Sequence, residues 1–285
     1  MKLTAKAYAK LNLTLDVSKK RADGYHNIES IFQSISLFDI LEIERTKSGI
    51  SVCTDSSINE TDNICFKAAK LFFDATKLNG GATIRLTKNI PIAAGLGGGS
   101  TDGAATLEVL NRLYDKPLSN DEILGLCKKL GADVPFCLFG GTAYASGIGD
   151  KLRKTQNLAD CDIIIIKNAT KPSTAELYRR LDECEISKRP DTAAVLCAIE
   201  NGDLYKACEN FYNVFSLVWG NNLNEVEEDL KNEGAITAKL SGSGPSVFGI
   251  YEKGKGENAY NNLCKKYKDI YLCAPNCNSG VEIVE

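Results

Sequence analysis

The chain has 285 residues, enough for two domains of ordinary size or one large one, and its 44% hydrophobic and 25% charged content is that of a globular protein. Its 34 basic and 37 acidic side chains leave a net charge of −3, which offers no basic footprint for nucleic acid or an anionic membrane. Eleven cysteines, odd in number and scattered, include no Cys-x-x-Cys, and the one histidine is His26, so neither a disulfide scaffold nor a zinc site is expected. In a reducing compartment such cysteines serve mostly as small buried apolar residues. No apolar run approaches the roughly 18 residues of a membrane span. Met1-Lys2-Leu3-Thr4-Ala5-Lys6 has no apolar core of signal-peptide length, so the cytoplasm is the expected location.

Residues 7–17 alternate strictly, with Ala7, Ala9, Leu11, Leu13, Leu15 and Val17 on one face, and read as a half-buried strand. The other face sets Lys10 and Asn12 two residues apart. That face is either solvated or turned into a cleft, and only the second gives Lys10 a role. Lys19-Lys20-Arg21-Ala22-Asp23-Gly24-Tyr25-His26 follows. Asp-Gly marks a tight turn. A cationic run, an aromatic and a histidine there suit either a solvated loop or a phosphate and a flat ring. Segments 28–38, 40–45, 50–53 and 82–87 read as strands and 61–77 as a helix.

The stretch Pro91-Ile92-Ala93-Ala94-Gly95-Leu96-Gly97-Gly98-Gly99-Ser100-Thr101-Asp102 has four glycines and leads into helical spacing over 102–114. Glycine lets backbone approach a ligand closely, and a helix N-terminus presents unpaired N–H groups. Together they suit a di- or triphosphate; the alternative is a flexible turn. No Lys follows the glycines, which excludes a Walker A loop. Ser100 takes the last glycine's place in a dinucleotide fingerprint, and Pro91 interrupts the approach. Ser119 with Glu122 has the capping-box form, and Gly131 ends the helix it opens. Asp133, two residues before Pro135, is either an N-cap or a catalytic carboxylate. Residues 140–147 read as a turn and short strand, and a domain boundary is expected within 152–158.

Beyond it, 163–166 reads as a buried strand, and Ser173 with Glu176 as a second capping box opening a helix with Tyr178. Helices are expected over 191–200, 203–218, 222–232 and 256–267. Strands are expected over 236–240, 247–251, 269–273 and 281–284. Ser241-Gly242-Ser243-Gly244-Pro245-Ser246 is a second Gly-rich loop, longer than a minimal hairpin needs. This order, with helices on one face, suggests a ferredoxin-like layer.

Three motifs in order resemble the GHMP kinase superfamily: Ala9-Lys10-Leu11-Asn12-Leu13, the stretch from Pro91 to Thr101, and Lys239-Leu240-Ser241-Gly242-Ser243-Gly244-Pro245. Asp23-Gly24-Tyr25-His26, Gly97-Gly98-Gly99-Ser100 and Gly131-Ala132-Asp133-Val134-Pro135-Phe136 are similar to the branch that acts on a cytidine-diphosphate-linked methylerythritol in the non-mevalonate route to isoprenoids. The resemblance implies an α+β fold of two domains, residues 1–157 like domain 2 of ribosomal protein S5 and 158–285 ferredoxin-like, with the active site between them. It implies ATP and Mg²⁺, with no metal ligand fixed by the sequence, and a monomer or homodimer acting on a small molecule. Carried over by position, Asp133 is the general base and Lys10 its cationic neighbour. Pro91, Ile92, Ala93, Ala94, Gly95, Leu96, Gly97, Gly98, Gly99, Ser100 and Thr101 hold the ATP phosphates, with Asn63 and Lys88 near the nucleotide. Asn12, Tyr25, His26, Tyr178, Gly242 and Ser243 fall to the acceptor, two tyrosine rings sandwiching cytosine while His26 reads its edge. Alternatives from the residues are another GHMP kinase, a nucleotide-binding regulator without catalysis, and a dinucleotide-dependent oxidoreductase.

Overall fold

The structure, a computed structural model, describes residues 1–55 and 59–284. A long hairpin dominates the first layer: β1 (Lys2–Lys20) and β2 (His26–Thr46) pair antiparallel, with register shifts at Tyr8/Lys10, Asn12/Thr14 and Val17/Lys20. The two strands expected over 28–38 and 40–45 are therefore one bent strand. The shifts bulge the hairpin and increase its twist, so its halves serve different partners. At the open end of the hairpin, Ile40–Thr46 of β2 pairs with β4 (Gly81–Thr87), which carries β3 (Gly49–Thr54) parallel on its far side, linked to it through α1 (Ile64–Thr76). Helices α2 (Gly98–Leu113), α3 (Asn120–Leu130) and α4 (Val134–Phe139) complete the layer. Ala5, Ala7, Leu41 and Ile84 meet Phe72, Ala105, Leu107 and Leu110 in its core.

Nearer the turn of the hairpin, Ser30–Gln33 in the first half of β2 pairs with β5 (Thr142–Ser146), and β5 with β6 (Lys151–Lys154). Strand β6 was not expected. Only Leu152 breaks its run of charge, which is how a solvent-facing edge strand is kept from further pairing.

The second sheet has the order β10 (Ile270–Cys273), β7 (Cys161–Lys167), β9 (Ser246–Glu252), β8 (Thr237–Leu240), antiparallel throughout. That is the ferredoxin-like arrangement. Helices α9 (Asn224–Asn232) and α10 (Gly256–Leu263) cover one face through Val226, Leu230, Ala259 and Leu263. The other face is covered too, contrary to expectation: α6 (Thr192–Glu200), α7 (Leu204–Glu209) and Leu11 and Leu13 of β1 pack on Ile163, Ile165, Phe248 and Ile250. This is why 163–166 carries isoleucine at every position. Each is fully buried, worth about 1.5–3 kcal/mol apiece.

The helix expected over 203–218 breaks. After α7 the chain runs extended past Asn213, which bridges to Leu15, and resumes as α8 (Ser216–Trp219). The Asn213 amide donates to the carbonyls of Leu240 and Gly242, and a continuous helix could not present it there. In α5 (Thr174–Asp182) Ser173 caps the Glu176 amide, but the Glu176 carboxylate turns to Arg179 and Arg180, so half of the expected capping box forms. Those guanidiniums hold its carboxyl down at about 2. In α3 both halves of the box are present. Strand β11 (Val281–Val284) does not stay with the second sheet but pairs with β1. On the way, Pro275 bridges to Ile35 and the Asn276 amide donates to the Ser34 carbonyl, so 274–284 straps the second layer to the first. Among the described residues no helix is long and apolar enough to cross a membrane.

Candidate active site

The loop before α2 and the loop between β8 and β9 meet through two hydrogen bonds, one from a side chain and one from the backbone. Ser241 Oγ donates to the Gly95 carbonyl at 3.2 Å, and the Ser246 amide to the Ala94 carbonyl at 3.3 Å. Gly95 has φ +78°, and a Cβ there would lie 2.5 Å from the Ser241 carbonyl oxygen. Helix α2 begins at Gly98, four residues before the periodicity suggests, so Gly98, Gly99 and Ser100 are its first turn. Their amides have no intrahelical acceptor and form the anion-binding end of the helix. Gly95→Ala is expected to destabilise by at least about 1–2 kcal/mol, the cost of a side chain in left-handed backbone, plus whatever loop displacement adds. Gly99→Ala, whose Cβ meets nothing within 4 Å, is expected to be neutral or stabilising. Denaturant unfolding of the two variants checks this contrast.

Lys10, at the first register shift of β1, is 4% exposed, so the polar face of the strand is turned inward. Its Nζ lies 3.2 Å from Asp133 Oδ2, donates to Asn12 Oδ1 at 2.7 Å and sits 4.8 Å from the Phe32 ring centroid. Asn12 Nδ2 donates to Ser30 Oγ at 2.9 Å, which fixes the amide so that its oxygen faces the ammonium. Gly97, at φ +71°, leaves room for this lysine: a Cβ there would be 2.9 Å from Lys10 Cγ. Asp133 stands at the start of α4 but makes no capping hydrogen bond, and its backbone is helical (φ −81°, ψ −18°). Its carboxylate is a cavity group, 36% exposed, and the N-cap alternative fails. Cys137, behind it, is no competing nucleophile, because burial pushes its thiol far up.

Lys10, Asp133, Gly95, Gly97, Ser100 and Ser243 wall one end of a cavity of about 630 Å³; Lys20, Tyr25, His26, Tyr178 and Asp182 wall the other. His26 Nε2 is 2.8 Å from Asp182 Oδ1, and its ring lies 4.8 Å from that of Tyr178, tilted 31°. Tyr178 is held edge-on by Phe215 at 5.0 Å, and burial raises its hydroxyl to about 12. Tyr25 is 59% exposed at the rim, its amide tied to Asp23 Oδ1.

Lys88 lies under the phosphate loop, paired with Asp39 and, at 2.7 Å, with Asp102 Oδ2. Asp39 also accepts from the amides of Asn89 (2.6 Å) and Ile90 (2.8 Å). Burial lifts the Asp102 carboxyl well above its ordinary range, against the pull of Lys88. Among the described residues the buried Asp102 Oδ1 and Thr101 Oγ1 atoms have no hydrogen-bond partner. Asn63 caps α1 by accepting from the Cys65 amide. Asn63, Lys88, residues 91–94, Leu96, Gly98, Gly99 and Thr101 are outside the cavity wall, whereas Asn12, Gly95, Gly97, Ser100, Gly242 and Ser243 are on it. Among the described residues no cluster of His, Cys, Asp and Glu is arranged to hold a metal, and no cysteine forms a disulfide.

Sequence reasoning missed Asp182, Asp39 and Lys171. Asp182 is nine residues past the Ser173 cap on an exposed-looking helix, and only the fold brings it to His26. Asp39 sits between apolar residues of β2, where a buried charge was a readable signal. Lys171 follows β7, and its Nζ donates to Ser243 Oγ at 2.7 Å.

A two-layer α+β chain with this glycine loop at a helix start and a lysine–aspartate pair beside it has the build of a GHMP kinase, a small-molecule kinase. Residues 63–141 match the GHMP kinases N terminal domain and 203–269 the GHMP kinases C terminal. The 4-diphosphocytidyl-2-C-methyl-D-erythritol kinase of Clostridium novyi is 41% identical over 273 residues, 94% of this chain and 98% of that one. The enzyme of that name from Alkaliphilus metalliredigens is 42% identical over 274 residues, 94% of each chain. A crystal structure of 4-(cytidine 5'-diphospho)-2C-methyl-D-erythritol kinase superposes with a TM-score of 0.82 at 29% identity, covering 96% of this chain and 99% of that one. The homoserine kinase of Cytophaga hutchinsonii shares the fold, at a TM-score of 0.78 and 16% identity over 99% of this chain and 97% of that one. The chain belongs to the 4-diphosphocytidyl-2-C-methyl-D-erythritol kinase family of the GHMP kinases.

Proposed function

We propose that the protein transfers the γ-phosphoryl group of ATP to the 2-hydroxyl of 4-diphosphocytidyl-2-C-methyl-D-erythritol, in the non-mevalonate route to isoprenoid precursors. The observation that carries this reading is that one cavity joins an anion-binding loop and a Lys–Asp pair to a ring-lined end with a histidine. In this reading the chain divides near residue 157, with the C-terminal strap returning to the first unit. It works in the cytoplasm as a monomer or homodimer.

Phosphoryl transfer asks a protein mainly for positioning and charge stabilisation. The amides of Gly98, Gly99 and Ser100 receive the ATP phosphates, with Asn63 and Lys88 supporting the nucleotide side from behind the loop. Asp133 accepts the proton of the attacking hydroxyl. Lys10, aimed by Asn12 and Phe32, stabilises charge on the transferring group. Mg²⁺ takes most of its ligands from phosphate and water, so it fits a site without a carboxylate cluster. The Ser100 hydroxyl and the unpartnered Thr101 Oγ1 would hold it, and when bound it neutralises phosphate charge.

At the far end, Asp182 accepts from His26 Nε2, so in the neutral ring Nδ1 is an acceptor able to face the cytosine amino group. Tyr25 and Tyr178 offer faces to the base. Cytidine diphosphate is expected to compete with the acceptor and not with ATP. Tyr25→Ala is expected to raise KM for the acceptor roughly 5–100-fold, the worth of one base stack, with ATP affinity unchanged. Inhibition kinetics against each substrate check both. Competition with ATP alone, or an effect of Tyr25→Ala on ATP alone, would remove the cytidine pocket from the reading.

A further inference from the structure

The proposed reaction gives work to Lys10 but none to the second ammonium at the same end of the cavity. Lys171 lies on the segment joining β7 to α5, where it lines the cavity wall with Ser243 and Gly95. Its hydrogen bond among the described residues goes to the Ser243 hydroxyl, a neutral group that leaves two of its N–H donors open to a ligand or to water. Among the described residues no carboxylate pairs with it. Lys171 is half-buried, so its ammonium has given up part of its hydration with no ion-paired carboxylate in its place, and an anion entering the cavity would restore the balance.

We propose that Lys171 is a phosphate-binding residue of this cavity, taking either the terminal phosphate of the nucleotide or the diphosphate of the acceptor. The assignment rests on the kinase reading above. Its position suits the task. Ser243 belongs to the loop that is bonded to the phosphate loop through Ser241 and Gly95, and Lys171 lines the same cavity as Gly97 and Ser100 at the α2 N-terminus. The charged groups that face it are Lys10 of β1 and Asp133 ahead of α4, with Lys20, Arg179 and Asp182 on the far wall. Burial, then Lys10, pull its ammonium down to about 8, and Asp133 opposes them. The charge is therefore present at neutral pH and lost as pH rises through that value. A bound phosphate would draw the proton back, which means affinity falls in alkali.

Calorimetric titration of the whole protein with ATP, ADP, CDP and cytidine separates the two sources. Wild type is expected to bind ATP more tightly than ADP and CDP more tightly than cytidine. In Lys171→Met one of these preferences is expected to shrink by about 10–100-fold, the worth of a charge-assisted hydrogen bond. Loss of the ATP preference assigns the terminal phosphate, and loss of the CDP preference assigns the acceptor diphosphate. Lys171→Arg is expected to keep most of the affected preference. That preference should weaken between pH 7.5 and 9.5 in wild type and not in the arginine variant, because phosphate is fully ionised over that range. If both preferences survive in Lys171→Met, whatever its thermal stability, Lys171 is a structural residue and the proposal falls. If wild type shows the preferences and Lys171→Met loses one, yet no cytidylyl acceptor is turned over, the functional reading falls and the phosphate site stands.

Discussion

Asp133→Asn is expected to lower kcat by roughly 10²–10⁴-fold, the usual worth of a general base, while ATP still binds. The amide is nearly the same size and can still accept from Lys10 Nζ, now at 3.2 Å from the carboxylate, so the geometry of the cavity is retained. What it cannot do is take the hydroxyl proton. Because Asp133 caps no backbone amide, no loss of helix stability should accompany the change. Single-turnover kinetics and ATP titration of the variant check the pair of results. Near-normal turnover would remove Asp133 from the chemistry.

The second large effect is on stability. Lys88→Met should destabilise the protein by about 3–5 kcal/mol at pH 8, the cost of leaving buried carboxylates without their cation. Asp39 is wholly buried and Asp102 is 2% exposed, so neither can turn to water. The loss should be smaller at pH 5. Without the ammonium, burial holds the folded-state Asp102 carboxyl still further above its unfolded value. A group raised on folding contributes stability that is present at low pH and lost as pH rises through the folded value. Urea unfolding at the two pH values decides the matter. An equal loss at both would mean that the pair is not what Lys88 holds. The triad sits beneath the phosphate loop and ties Asp102 of α2, through Lys88, to Asp39 of β2, which in turn accepts from the Asn89 and Ile90 amides.

Much of this arrangement was legible in residues 7–17. Their alternation announced a strand with Lys10 and Asn12 on one face, and only the bulges of the β1–β2 hairpin, which no local pattern encodes, turned that face inward. The glycine loop was legible as an anion site because glycine and a helix start are local features. The helix start itself was misplaced by four residues, since Gly98 to Thr101 have no periodic apolar signal. The break at 210–215 was not legible, because the amide of Asn213 acts on the carbonyls of Leu240 and Gly242, 27 and 29 residues away. The fate of 274–284 was hidden for the same reason: a short apolar strand pairs where tertiary contacts admit it. Asp182 and Lys171 looked like ordinary surface charges, and the cavity alone gives them neighbours.

The most direct measurement is ADP release by the purified protein with Mg-ATP and, in turn, 4-diphosphocytidyl-2-C-methyl-D-erythritol, mevalonate, homoserine and galactose. Turnover of the cytidylyl alcohol alone is the predicted result. Turnover of another alcohol in its place would contradict the account, leaving the fold and the Lys10–Asp133 pair but removing the cytidine pocket, and ATP binding without turnover of any acceptor would contradict it at the level of catalysis.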